Sequence, residues 1–168
     1  MQRSHELIST IGLPPVSQIG VVVKDVDRAV EYYSSAFGFE PFTTHEFIPE
    51  KHWYMKKPSY LRLKMGKSMW GHLELELLQP LEGESLHEEF LRTHGEGLQH
   101  LGFNVSSYDQ MFEKMKKEGF QPLMRAETYM ETYKGYLRAC YFDTRRVGGI
   151  IFELMWKSWL PECQLKDS

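Results

Sequence analysis

Two hydrophobic periods alternate along the chain and divide it into strands and helices. Val16 to Val23 has a period of two, with Ile19, Val21 and Val23 on one face and Gln18, Gly20 and Val22 on the other. Asp25 follows as a helix cap, and Val26, Ala29, Val30 and Tyr33 recur at helical spacing, so a helix is predicted over about Val26 to Ala36, stopped by Gly38. A short strand is expected over Glu40 to Thr44, an irregular segment over Glu46 to Pro58, and a strand over Ser59 to Met65. In that strand Leu61, Leu63 and Met65 oppose Tyr60, Arg62 and Lys64. After a turn over Gly66 to Gly71, His72 to Gln79 alternates cleanly, with Leu73, Leu75 and Leu77 against His72, Glu74 and Glu76. A helix over Glu84 to His94 ends at Gly95 and Gly97.

The same order then recurs. Gly97 to Val105 reads as a strand in which Leu101, Phe103 and Val105 oppose His100, Gly102 and Asn104, with Gly102 leaving open space beside His100. Ser107 is placed to cap a helix of about Tyr108 to Glu118, closed by Gly119. Strands are predicted over Phe120 to Leu123, Leu137 to Asp143 and Ile150 to Trp156. The first two are separated by a loop over Glu127 to Gly135 that reads as mobile, and the last two by a turn over Thr144 to Gly149.

The recurrence is an internal repeat. Gln18 to Glu31 lies over His100 to Glu113 without a gap, matching Gly20 to Gly102, Asp27 to Asp109 and Glu31 to Glu113. Leu75-Glu76-Leu77 lies over Phe152-Glu153-Leu154 near the ends of the two copies. Each copy reads as strand, helix and about three strands, too small to close a core alone. The predicted fold is α+β: paired βαβββ modules forming one curved, cleft-enclosing mixed sheet with helices outside. The organisation is a lead-in over 1–15, one domain over 16–156, and a tail over 157–168. Within the domain lie module one at about 16–81, the connecting helix at about 84–94 and module two at about 97–156.

If the apolar faces pack under the helices, Gln18, Glu76, His100 and Glu153 all turn to the concave face. The repeat pairs Gln18 with His100 and Glu76 with Glu153. Each residue alone reads as an ordinary strand residue, although Glu153 within Ile150 to Met155 is a carboxylate that needs a partner. Together they form a candidate metal site about a pseudo-twofold axis. Two carboxylates, an imidazole and an amide oxygen suit a divalent ion, with Zn, Co, Mn, Ni and Fe(II) all compatible.

Composition narrows the partners. The 168 residues are 42% hydrophobic with a formal net charge of −3, enough for a core and no reason to expect nucleic acid or a membrane surface. Only two cysteines, Cys140 and Cys163, occur, without metal-type spacing, and a cytoplasmic setting is expected. Aromatic residues reach 14%, and Trp53, Tyr54, Tyr60, Trp70, Tyr129 and Tyr133 are candidates for a cleft mouth, each also readable as core.

On these features the chain from about Val16 to Trp156 resembles the vicinal oxygen chelate (glyoxalase/bleomycin resistance/dioxygenase) superfamily. It looks most like the methylmalonyl-CoA epimerase branch through Leu75-Glu-Leu-Leu-Gln-Pro-Leu81, the Glu82-Gly-Glu-Ser85 continuation and Gly95-Glu-Gly-Leu-Gln-His-Leu-Gly102. The resemblance implies paired βαβββ modules, a homodimer, and metal ligands at Gln18, Glu76, His100 and Glu153. The epimerases usually carry His and Gln at the first two positions. The Gln, Glu, His, Glu set is similar to that of zinc-type glyoxalase I, whose glutathione-binding Arg and Asn positions are Val22 and Pro80 here. Extradiol dioxygenases need two histidines and one carboxylate, and only His100 matches.

The expected activity is that of a metal-dependent epimerase or racemase, moving a proton at a carbon alpha to a carbonyl through a metal-stabilised enolate. Glu153 and Glu76 are the expected opposed bases. Methylmalonyl-CoA epimerases add a glutamate from the strand before the second ligand, where this chain offers no carboxylate, so Lys64, Tyr60 and His72 are the candidate auxiliary acids or bases. A methylmalonyl-CoA-like thioester and an isoflavanone-like aromatic ketone are both expected substrate classes. Alternatives are a glyoxalase I-type lyase or isomerase and, from another class, a non-catalytic drug-binding protein.

Overall fold

The structure is a computed structural model that describes residues 11–39 and 41–161. Most of the lead-in, Glu40 in the expected second strand, and Cys163 with most of the tail lie outside the described residues. In chain order the elements are β1 (Gln18–Val22), α1 (Val26–Phe37), β2 (Thr43–Phe47), β3 (Lys51–Tyr54), β4 (Lys57–Pro58), β5 (Leu61–Trp70) and β6 (Leu73–Gly83). They continue as α2 (Leu86–His94), β7 (Gly97–Asn104), α3 (Tyr108–Lys117), β8 (Pro122–Met130), β9 (Gly135–Phe142) and β10 (Ile151–Lys157).

The ten strands of the described residues form one curled mixed sheet in the order β2-β5-β6-β1-β7-β10-β9-β8-β3-β4. The repeat is visible in that order. From the central antiparallel pair β1·β7, each module runs outward through a parallel neighbour (β6 or β10) and then two antiparallel strands. The hairpin β3–β4 breaks the symmetry: it belongs to module one by sequence, yet β3 pairs with β8 of module two.

Alternation decides which side of the sheet each residue serves. Leu75 and Leu77 pack with Val23 and Val26 under α1, while Phe103, Val105, Cys140, Phe142 and Leu154 pack with Tyr108 and Met115 under α3. Both helices lie on the convex face. Asp25 caps α1 through its side chain, and Gly38 ends it in the left-handed conformation. Ser107 occupies the cap position of α3 but makes no side-chain cap bond, contrary to expectation. The connecting helix α2 lies elsewhere. Its Leu86 packs with Met124, Tyr141 and Ile151, and its Phe90 and Leu91 pack beside Leu61, Leu63 and Met65. These are concave-face residues, so α2 plugs one end of the cleft.

Four expected boundaries are corrected. The second strand runs Thr43–Phe47, where it pairs with β5. The expected irregular segment holds β3 and β4. The expected turn after Met65 is strand through Trp70, paired residue for residue with β6. The expected mobile loop is β8 as far as Met130, held by β9 on the same ladder.

Candidate metal centre

The centre is built on the β1·β7 pair, where Gln18 stands opposite Gly102 and Gly20 opposite His100. A Cβ at Gly20 would lie 1.9 Å from Cε1 of His100, so only glycine lets the imidazole cross that strand. A Cβ at Gly102 would meet Met155 Cε at 2.7 Å and Gln18 Oε1 at 2.9 Å. The space expected beside His100 is therefore filled. Each of the two glycines matched by the repeat accommodates the donor residue of the other module.

β6 and β10 flank this pair and bring in Glu76 and Glu153. His100 Nε2 lies 3.3 Å from Glu153 Oε2 and 3.6 Å from Glu76 Oε2. One donor atom from each of the three residues falls within 4.8 Å of the others. All three are buried, as is Gln18. Among the described residues Gln18 Oε1 has no hydrogen-bond partner, and His100 Nε2 and Glu153 Oε2 face each other without a well-formed hydrogen bond to any third group. Gln18 Nε2 donates to Glu74 Oε1 at 2.7 Å, which fixes the amide and leaves its oxygen as the free end. Such unsatisfied atoms are costly inside a protein. Two carboxylates, an imidazole nitrogen and an amide oxygen fit a divalent cation as ligands. Glu76, His100 and Glu153 could hold a metal ion together, with Gln18 at their side.

Several residues outside this set orient it. Lys67 stands opposite Glu76 on β5, and its Nζ lies 2.9 Å from Glu76 Oε1 and 3.5 Å from Glu74 Oε1. The ammonium takes one carboxylate oxygen of Glu76 and leaves Oε2 facing His100. Against the opposing effect of burial, Lys67 and then His100 hold Glu76 far below the usual carboxylate range. Burial likewise opposes a proton on His100, but Glu153 and Glu76 outweigh it and raise the imidazole to about 9. A ligand imidazole must shed that proton.

The ladder between β1 and β7 shifts register beside Gly20, and the extra residue is Gln99. A bulge re-aims a side chain, here turning a second consecutive residue inward. Gln99 Nε2 donates to the Leu86 carbonyl at 3.0 Å, so Gln99 Oε1 accepts from His87 Nδ1 at 2.7 Å and from His100 Nδ1 at 3.2 Å. Holding Nδ1 as a donor to Gln99 turns Nε2 toward Glu76 and Glu153, where it can carry a proton or, once that proton is shed, serve as a ligand. Burial, then the charge on His100, lowers His87 to about 3, so it is neutral.

A cavity of about 50 Å3 opens over the centre. Its deep wall is buried Leu61, Leu63, Met65, Leu78, Met124 and Met155, closed by His87 of α2. Its outer end has the more exposed His45, Phe47, Lys67, Met130, Leu137 and Lys157.

Of the residues chosen from sequence, the structure gathers Gln18, Glu76, His100 and Glu153. It does not bring Lys64, Tyr60 or His72 to the cavity. Lys64 faces outward by alternation and pairs with Asp27 of α1. Tyr60 is 47% exposed just before β5, and His72 lies exposed in the β5–β6 turn. The suggested mouth aromatics are also elsewhere: Trp53 stacks on Arg125, Tyr54 bonds Glu89, Trp70 meets Phe39, Tyr129 meets Tyr136, and Tyr133 stacks on Trp159. Lys67, Gln99, His87 and Lys157 were not anticipated. Extending the alternation of Leu61, Leu63 and Met65 by one step would have found Lys67.

The family model described as the glyoxalase/bleomycin resistance protein/dioxygenase superfamily matches residues 17–141, and the chain belongs to that family. A relative, the uncharacterized protein YqjC of Bacillus subtilis, is 22% identical over 139 residues, covering 83% of this chain and 89% of its own. Among solved structures, a methylmalonyl-CoA epimerase of Streptomyces coelicolor in complex with 2-nitronate-propionyl-CoA is 24% identical. It covers 88% of this chain and 99% of that one, with a TM-score of 0.62. The methylmalonyl-CoA epimerase of Mycobacterium tuberculosis is 20% identical over 95% of this chain and 97% of its own, with a TM-score of 0.58.

Proposed function

We propose that this protein is a divalent-metal-dependent epimerase or racemase that moves a proton at a carbon alpha to a carbonyl. The observation that carries the reading is the buried meeting of Glu76, His100 and Glu153 from both modules, their donor atoms within 4.8 Å. Glu76 and His100, with Glu153 and Gln18, would hold the ion. When bound, the ion would supply Lewis acidity toward a carbonyl oxygen and so acidify the adjacent C–H bond.

The remaining work falls to the chain's own residues. Glu76 and Glu153 come from equivalent strands of the two modules and approach the cavity from opposite sides. Each carboxylate can act only when detached from the ion: one takes the alpha proton from one face and passes it to solvent, and the other, having first taken a proton from solvent, delivers that proton to the opposite face. Positioned proton transfer of this kind contributes about 10²–10⁴-fold. Lys67 holds Glu76 Oε1 so that Oε2 faces the centre. The apolar wall excludes water from the planar intermediate.

The substrate is a small-molecule carbonyl compound. An aliphatic acyl thioester, as in the ligands of the structurally similar epimerases, agrees with a wall of leucine and methionine better than a flat aromatic ketone does. A glyoxalase I-type reading uses the same donors. Val22, where that reading needs an arginine, is fully buried beside Leu61, Leu63 and Leu78.

The test is elemental analysis of the reconstituted protein, followed by incubation with methylmalonyl-CoA in deuterated water. About one metal per chain and deuterium at the alpha carbon are expected. Deuterium-free thioester would overturn the epimerase reading. Turnover of a glutathione hemithioacetal would install the lyase, and binding without metal would install the non-catalytic binder.

A further inference from the structure

Lys157 ends β10 and lies four residues beyond Glu153, on the same concave face by alternation. Its side chain lines the outer end of the cavity together with His45 and Lys67. The two lysines differ in one respect. Lys67 is bridged to Glu74 and Glu76. Lys157 is only part-exposed, and no carboxylate of the described residues approaches within 4.0 Å of its ammonium. The charges it faces are Glu74, Lys67, Glu76 and Glu153, all already engaged with one another or with His100.

A half-buried cation without a counter-ion is an expensive arrangement unless something completes it. Charge counting points the same way. Three carboxylates, Glu74, Glu76 and Glu153, face two ammonium groups, Lys67 and Lys157. A divalent ion at the centre leaves one positive charge in excess, which one substrate anion would cancel. Burial, the largest influence on Lys157, also draws its ammonium below the usual lysine range, an effect that a neighbouring anion reverses.

We infer that Lys157 is the binding residue for an anionic group of the substrate, seated at the cavity mouth with Lys67 and His45 around it. The substrate class is thereby narrowed to carbonyl compounds carrying either a carboxylate on the reacting part or a phosphate on its handle. This inference rests on the metal-dependent reading of the same cavity. It concerns recognition, not proton transfer, so it has its own readout.

The experiment is calorimetric titration of protein reconstituted with Co(II) or Zn(II), using malonate, neutral dimethyl malonate and 4′-phosphopantetheine as probes. Lys157→Gln is expected to weaken malonate or phosphopantetheine by about tenfold or more, the scale of a lost charged hydrogen bond. Lys157→Arg should restore most of that loss, and dimethyl malonate should bind both proteins alike. A loss confined to malonate assigns a carboxylate, and a loss confined to phosphopantetheine assigns the phosphate. Equal affinity of the original chain and Lys157→Gln for both anions overturns the inference. Metal content of Lys157→Gln serves as the folding control, since Lys157 is not among the donors. Should the protein take up no metal, the metal reading fails. The inference that rests on it then falls as well, whereas metal uptake with equal anion affinity in both proteins overturns the inference alone.

Discussion

Gly20→Ala and Gly102→Ala differ by one methyl group at positions the repeat makes equivalent, yet their consequences should differ. At Gly20 the new carbon collides with a ring fixed by Gln99 and enclosed by Tyr141. At Gly102 it meets the free end of Met155 at 2.7 Å, which can swing aside, and Gln18 Cβ and Oε1 at 2.9 Å, longer approaches than the 1.9 Å at Gly20. Gly20→Ala should cost about 1–3 kcal/mol, the range for overpacked cores, and lower metal content. Gly102→Ala should cost less on both measures. Denaturant titration and elemental analysis check this, and equal losses would count against the cradle. His87 makes a second prediction. Its folded-state pKa is lowered from 6.5 to about 3, so its contribution to stability is complete above about pH 6.5 and is lost as pH falls toward 3. His52, also lowered by burial, acts in the same sense. Unfolding midpoints should fall across that window, and His87→Leu should flatten the fall. Gln18, Glu76, His100 and Glu153 were legible because period-two alternation and the repeat both marked them. Gln99 was not, because a bulge suspends alternation, and His87 was not, because it reaches the cavity from a helix whose placement no periodicity specifies.

At the scale of elements, most helices and strands followed from spacing and caps, and the hairpin β3–β4 did not. Its turn places Met55 at φ 49° and Lys56 at φ 69°, both left-handed, without the Asn-Gly pair that announces such turns. Left-handed backbone costs an ordinary residue about 1–2 kcal/mol. Replacing Met55-Lys56 by Asn-Gly should therefore stabilise the protein by about 1 kcal/mol, read as a higher thermal midpoint with unchanged metal content. A lower midpoint would mean that these side chains contribute more than the turn geometry costs. Pairing between β3 and β8 was also hidden, because local pattern identifies a strand without naming its partner.

For the whole molecule, the candidate donors come from both modules, Gln18 and Glu76 from one, His100 and Glu153 from the other, so an ion held by them would tie the modules together. Metal binding should consequently act on global stability. At a free concentration one hundred times the dissociation constant, the gain is about 2.7 kcal/mol. Adding Zn(II) or Co(II) to chelated protein should raise the unfolding midpoint, and Glu153→Gln should abolish most of that rise. A midpoint insensitive to metal in the parent chain would contradict the centre. The paired-module sheet was readable from the repeat, whereas the seat of α2 within the cleft was not, since its apolar stripe fits either face.

The crossing of β3 to β8 makes the cavity wall a hoop. Hydrogen-bonded ladders run from β2 through the central pair to β8 and on to β3, and the peptide link Ile48-Pro49-Glu50 joins β3 back to β2. Such a ring cannot widen by sliding two open edges apart. Dilating it means breaking the β3·β8 ladder or bending a three-residue link whose Pro49 is buried. A substrate of the proposed kind would thus enter endwise, along the axis that α2 stops at one end and Lys157 overlooks at the other.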